Sequence, residues 1–152
     1  MTVLSAASSE LEQAVLDTFE EMAFADPMPA ADAVFDWDAS GLMWARIATI
    51  EPQAGEIALL AEPVVARELA GAVLGEDARS DRAVRDVLAE LVHVIAGGWL
   101  MRLQPGGLPA QLALPESGAR RWDESDREWA FSVYELGDER FAIAVAAAGT
   151  TR

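Results

Sequence analysis

The sequence predicts an α/β (α+β) domain, in which a mainly antiparallel β-sheet packs against helices in the order α-β-β-α-α-β-β-β. Three observations lead there. Apolar residues recur at three- and four-residue steps over 10–24, 63–74 and 81–100. Alternating or apolar-rich runs over 42–50, 56–61, 110–114, 127–136 and 140–147 are bounded by Gly, Pro and Asp turn chemistry. A length of 152 residues, 52% of them hydrophobic, suffices for one buried core, so residues 1–152 read as a single domain with its core at about 8–148.

The first helix is expected from Glu10 to Phe24, with Ser9 as N-cap and Glu12 three residues on as a capping box. Leu11, Val15, Phe19 and Met22 make its buried stripe, and Glu10, Asp17, Glu20 and Glu21 its outer side. Asp26-Pro27 and Pro29 end it, and Ala30 to Ser40 reads as a loop or irregular edge strand. Leu42 to Ile50 and Glu56 to Ala61 form a hairpin across the turn Glu51-Pro52-Gln53-Ala54-Gly55. A short helix runs from Pro63, suited to the first turn, to Leu74, with Gly75 as its C′ residue. A long helix, capped by Ser80 or Asp81, reaches Leu100 on a stripe of Val84, Leu88, Leu91, Ile95 and Trp99. Gly97-Gly98 weakens its last turns by roughly 1 kcal/mol each. Ala110 to Leu114 is a short strand ended by Pro115. Arg127 to Leu136 and Arg140 to Ala147 pair across Gly137-Asp138, with Phe141, Ile143 and Val145 on one face of the last strand and alanines on the other.

Composition excludes several function classes. The formal charge is −15, from 11 basic and 26 acidic residues, and no basic stripe offsets it, so nucleic acid is not an expected partner. Residues 1–60 hold eleven acidic groups and one basic group, Arg46. Cysteine is absent, which removes disulfides, thiolate nucleophiles and Cys-ligated zinc. All eleven basic residues are arginine, which removes Schiff-base and P-loop lysine chemistry. His93 is the one histidine, so a three-histidine metal site is excluded within a chain. Met1 to Ala7 has no basic n-region and no apolar run reaches about 18 residues, so no membrane segment and a cytoplasmic location are expected.

The chemistry-bearing residues stand on the long helix. Asp86, Glu90, His93 and Gly97 follow at steps of four, three and four, which aligns them on one stripe away from the apolar one. Ala89, Ala96 and Gly97 are small, so that face reads as nearly bare around His93 and open to another protein's close approach. A solvated helix face is the ordinary reading of such a pattern. A metal site from Asp86, Glu90 and His93 is geometrically allowed, but with a single histidine the sequence predicts none. Gly106-Gly107-Leu108-Pro109 lacks the lysine and the following helix of a phosphate loop and reads as a turn. Trp122 and Trp129 bracket an acidic loop, a solvated segment or an aromatic docking point, and Arg120-Arg121 is too short for a nucleic-acid patch.

Asp86-Val-Leu-Ala-Glu90-Leu-Val-His93-Val-Ile-Ala-Gly-Gly98, followed by Gly107-Leu108-Pro109 and Pro115, resembles the CheX-like branch of the CheC/CheX/FliY chemotaxis phosphatases. The pattern of that family is Asp or Ser, three residues, Glu, two residues, Asn, about twenty-two residues, Pro. Asp86 and Glu90 match it, Pro115 comes after twenty-one intervening residues, and His93 stands at the asparagine position. The first helix, Asp17-Thr18-Phe19-Glu20-Glu21-Met22-Ala23-Phe24, is also similar to the opening helix of CheX-like domains, as is the order of elements.

The resemblance implies a CheC/CheX-like fold and dephosphorylation of an aspartyl phosphate on a CheY-type response regulator. It implies Glu90 and His93 as catalytic residues, with Glu90 meeting the partner's active-site lysine and His93 replacing the water-orienting asparagine. Asp86, Ala89, Ala96 and Gly97 would form the partner-binding surface. The chain would carry no cofactor of its own, Mg²⁺ being supplied by the partner. A neutral imidazole has one acceptor and one donor nitrogen, so it is able to hold a water. The same resemblance is compatible with a homodimer joined through a sheet edge. The rival reading is a catalytically silent module that docks on, or sequesters, the regulator.

Overall fold

The computed structural model describes residues 8–31, 33–37, 41–51, 54–103, 106, 110–119 and 128–147. Helix α1 (Ser9–Ala23) opens with Ser8, whose side chain accepts a hydrogen bond from the Leu11 amide at 3.2 Å. The cap is therefore Ser8, where the sequence pointed to its neighbour Ser9. The helix ends at Phe24, which takes the left-handed conformation (φ 53°), and Ala25 N–H returns to the Phe19 carbonyl at 3.1 Å. The Phe24 N–H reaches the same carbonyl, a 6→1 bond, so one of the last helical carbonyls is satisfied.

β1 (Met28–Pro29), a two-residue strand directly after Pro27, has no counterpart in the sequence reading. The expected hairpin is present, with β2 (Met43–Glu51) paired antiparallel to β3 (Gly55–Ala61). Helix α2 (Pro63–Leu74) has the predicted bounds, and Gly75 closes it with φ 76°, a value glycine adopts without a Cβ penalty. Helix α3 (Asp81–Leu103) extends three residues past the expected end. β4 (Gln111–Leu112) and β5 (Glu116–Ala119) both pair with β2, and β6 (Ala130–Leu136) pairs with β7 (Glu139–Ala147).

The sheet is antiparallel throughout, seven-stranded, in the order β1-β6-β7-β3-β2-β4 with β5 also beside β2. The order along the chain is thus α-β-β-β-α-α-β-β-β-β. The two added strands explain the difference from the sequence reading. β1 carries Pro29 and β5 reads Glu-Ser-Gly-Ala, neither of which has a strand signature; both owe their extended form to pairing at a sheet edge. Pro115 does not end the pairing. It separates β4 from β5, an interruption tolerated because this is an edge. The expected turn at Pro52-Gln53, the Gly107-Leu108-Pro109 reversal, Arg120-Arg121 and the Trp122 loop lie outside the described residues, as do Met1 to Ala7 and the Arg127 start of its strand.

Strand alternation sorts side chains between two clusters. Ala45, Ile47, Ile57, Leu59, Phe141, Ile143 and Val145 meet Leu11, Val15, Phe19, Leu69, Leu88 and Ile95 from the helices. On the opposite face, Ala58, Leu60, Ala142 and Ala144 lie under Phe35 and Leu42, with Trp37, Trp44, Trp129 and Phe131 half-buried over them. The alanine face of β7 lets these rings come close. At the β5 edge a Cβ on Gly118 would stand 2.4 Å from the Trp44 ring, so only glycine fits there. Among the described residues no helix is long and apolar enough to cross a membrane.

Phe19 stacks on Phe141 at 4.6 Å and Tyr134 stacks on the other side of Phe141 at 5.0 Å, which fastens α1 to β6 and β7. Burial, aided by the Glu12 charge, pushes the Tyr134 phenol up from 10.0 to about 12. The folded chain thus holds this proton more tightly than the unfolded chain. The resulting stabilisation is complete below pH 10 and lost as pH rises from 10 to 12, amounting to about 2 kcal/mol. Tyr134 is the chain's one tyrosine, so tyrosinate absorbance reports it alone. Urea midpoints should fall over that pH window, and less so for Tyr134→Phe; parallel curves would refute the linkage.

Candidate functional site on the long helix

Helix α3 is held along its length and at both ends. Val84, Leu88, Leu91, Ile95 and Trp99 are at most 1% exposed, which fixes its rotation over the sheet. Ser80 Oγ accepts from the Ala83 amide at 3.1 Å, and Arg67 of α2 pairs with Asp81 at 2.8 Å. At the other end Arg102 donates to the Gly98 carbonyl at 3.1 Å and pairs with Asp17 of α1. A Cβ on Gly98 would lie 3.2 Å from Arg102 Nη1 and 3.7 Å from Ala14 Cβ, so this glycine marks the close approach of α1 and α3.

With the apolar stripe turned inward, Asp86, Glu90 and His93 all face solvent. Among the described residues none forms a hydrogen bond or ion pair with any of the three. On a helix, residues three and four apart are surface neighbours, with Cβ atoms about 5–6 Å from each other. Glu90 therefore stands between Asp86 and His93, each about one turn away. Ala89 and Gly97 border this stripe and are half-buried.

Ala96 is a correction. It was expected on the open face, but it is fully buried in the main core. At about 100° per residue it falls roughly 100° from Gly97, on the side that meets the sheet. It belongs to the packing of α3 and offers a partner no surface.

Gly97 differs from Gly98. A Cβ there would meet only Leu112 Cδ1, at 4.0 Å, an ordinary contact. Glycine inside a helix costs about 1 kcal/mol relative to alanine. Among the described residues no packing requires that cost at Gly97, whereas close approach by another molecule would.

Among the described residues the stripe forms a ridge. Of the concave regions that described residues line, one of ≈ 290 Å³ lies between Glu12 and β6 and another of ≈ 530 Å³ on α2 around Gly71. Neither is lined by Asp86, Glu90 or His93. Among the described residues no three His, Asp or Glu side chains gather as a metal ion would need. A convex surface with an acid and an imidazole suits a macromolecule that brings its own reacting group. Sequence reasoning passed over Arg102, which pins the helix end, and the exposed Val94 and Met101 on the same face. Stepping on from Glu90 by four, three and four reaches Val94, Gly97 and Met101, so the signal was there.

Among the described residues, three helices cover one face of an antiparallel sheet, which defines an α+β domain. A family model described as chemotaxis phosphatase CheX matches residues 43–119, from β2 through β5, and includes Glu90 and His93. The chain belongs to this family. Its structure is similar to that of a CheC-like superfamily protein from Shewanella sp. PV-4 (TM-score 0.74, 22% identity, covering 96% of this chain and 98% of that one). It is similar also to the chemotaxis protein CheX from Vibrio vulnificus (TM-score 0.73, 13% identity, 95% and 99% covered). A third similar structure is a CheX–CheY–BeF₃–Mg²⁺ complex from Borrelia burgdorferi (TM-score 0.66, 14% identity, 90% and 94% covered). No curated protein sequence matches.

Proposed function

We propose that this chain removes the phosphoryl group from the aspartyl phosphate of a CheY-type response regulator. Glu90 meets a cationic group of the partner's site and His93 holds the attacking water. The observation that carries the reading is the solvent-facing Glu90/His93 pair, free of partners among the described residues, on the best-anchored helix of a CheX-family chain. The Borrelia structure supports the choice of partner, since there a CheX and a CheY are held in one complex with BeF₃ and Mg²⁺.

The chemistry asks little of the chain. Phosphoryl transfer runs largely on in-line positioning and charge balance. Neutral His93 accepts a hydrogen bond from water through its unprotonated nitrogen and points the oxygen at phosphorus. The new P–O bond forms as the acyl phosphate bond breaks, and the partner's carboxylate leaves. Glu90 contributes a charge-assisted contact that fixes the partner's orientation. Asp86 adds to the acidic rim, and Ala89 and Gly97 keep the surface low. The partner brings both the phosphoryl group and its Mg²⁺. In this reading the protein works in the cytoplasm as a homodimer joined along a sheet edge. Light scattering should then return twice 16.3 kDa, and a mass of 16.3 kDa would remove the dimer.

The second reading, a silent module that binds without catalysis, is favoured by one observation, the imidazole where the family pattern has an amide. One experiment separates the two. A phosphorylated CheY-type receiver domain is mixed with the purified chain, and loss of its phosphate is followed. Faster loss supports the phosphatase; binding with an unchanged decay rate identifies the silent module, which His93→Asn should then convert into an active one.

A further inference from the structure

The ridge that carries Glu90 and His93 changes character along its length. Its first half is acidic, with Asp86 and Glu90. Its second half is apolar: Val94 is 37% exposed and Met101 61% exposed, on the same arc as Gly97. The sheet edge adds to this half from the side. Leu112 of β4 is the neighbour that a Gly97 side chain would touch, and Leu114, two residues on, is 89% exposed. Three large apolar side chains thus stand in water, two on Gly97's helix face and one two residues beyond Leu112, and among the described residues no packing requires that glycine.

Charge narrows what covers them. A second copy of this chain brings a further −15 charge to the same face and meets net repulsion. An anionic membrane surface meets the same repulsion. A receiver domain that offers a cationic group to Glu90 meets none.

Resting on the function proposed above, we infer that Val94, Met101 and Leu114 are the apolar anchor of the receiver-docking surface. The ridge reads its partner at two points. A cationic group meets Glu90, and an apolar surface about 16 Å further along α3 meets Met101, this being the rise of the eleven steps from one to the other. Methionine is enriched in the cores of such interfaces, where its flexible stem fits varied surfaces. The apolar half then adds affinity for the regulator beside the Glu90 contact, and the chemistry lies in the Glu90/His93 half.

The test is calorimetric titration with a CheY-type receiver domain charged with BeF₃⁻ and Mg²⁺. Met101→Glu and Leu114→Glu should each weaken binding at least about tenfold, and Met101→Leu should keep wild-type affinity. Leu74→Glu, at a 47% exposed apolar residue ending α2, adds the same charge elsewhere and should leave binding unchanged. Melting curves establish that each variant folds. Binding that neither glutamate weakens overturns the inference and leaves the function standing. Equal weakening by Leu74→Glu assigns the effect to net charge and also overturns it. A wild-type chain that does not bind the charged receiver overturns both.

Discussion

Glu90→Ala should abolish the chain's acceleration of receiver dephosphorylation while leaving its fold intact. Glu90 is exposed and, among the described residues, bonded to nothing, so its loss frees no buried partner and costs the fold within about 0.5 kcal/mol. In the complex the same carboxylate would become desolvated against a cation. Truncating one partner of such a pair costs about 2–5 kcal/mol, largely because the other charge is left unpaired. That predicts a fall on the order of 10²-fold or more in the second-order rate of phosphate loss. Glu90→Gln keeps the shape and removes the charge, so it should fall nearly as far. Measured decay that survives both variants would remove Glu90 from the site.

Phe141→Ala carries the largest expected effect on stability. Its ring is fully buried between Phe19 and Tyr134, at 4.6 and 5.0 Å. Emptying that position removes both stacking contacts and leaves a cavity in the middle of the core, at a cost of about 3–5 kcal/mol. For a domain of this size that is a large share of the whole. The consequence reaches the site, because α1 seats α3 through Ala14 against Gly98 and Asp17 against Arg102. Urea unfolding should show the loss directly, with Phe141→Leu losing far less. A Phe141→Ala chain within about 1 kcal/mol of wild type would mean that the stack does not hold α1 in place.

The elements legible in the sequence were those with a periodic signal of their own. The stripe from Val84 to Trp99 and the Pro63-to-Gly75 punctuation fixed α3 and α2, because burial and capping act there within one segment. β1 and β5 were hidden because Met28-Pro29 and Glu116-Ser-Gly-Ala become strands only by pairing with β6 and β2. Ser8 displaced Ser9 as cap because two adjacent serines offer the same hydroxyl, and backbone geometry decides between them. At the site, a step count aligns Asp86, Glu90 and His93, which are exposed, with Gly97, which is half-buried at their border. Ala96 adjoins Gly97 in sequence but lies in the core, because one residue is a rotation of about 100°. Leu112 as the nearest contact of Gly97 outside the helix comes from the strand pairing of β4, which no spacing in the sequence shows.

His93 allows the most direct test, since it is the chain's one histidine and its ring signals in an NMR spectrum need no assignment. A CheY-type receiver domain is added with BeF₃⁻ and Mg²⁺, and separately without BeF₃⁻. If the ridge meets the phosphorylated site, the imidazole resonances shift or broaden with the charged receiver, and far less with the uncharged one. Ring signals that stay in place while backbone resonances elsewhere report a bound receiver would contradict the account.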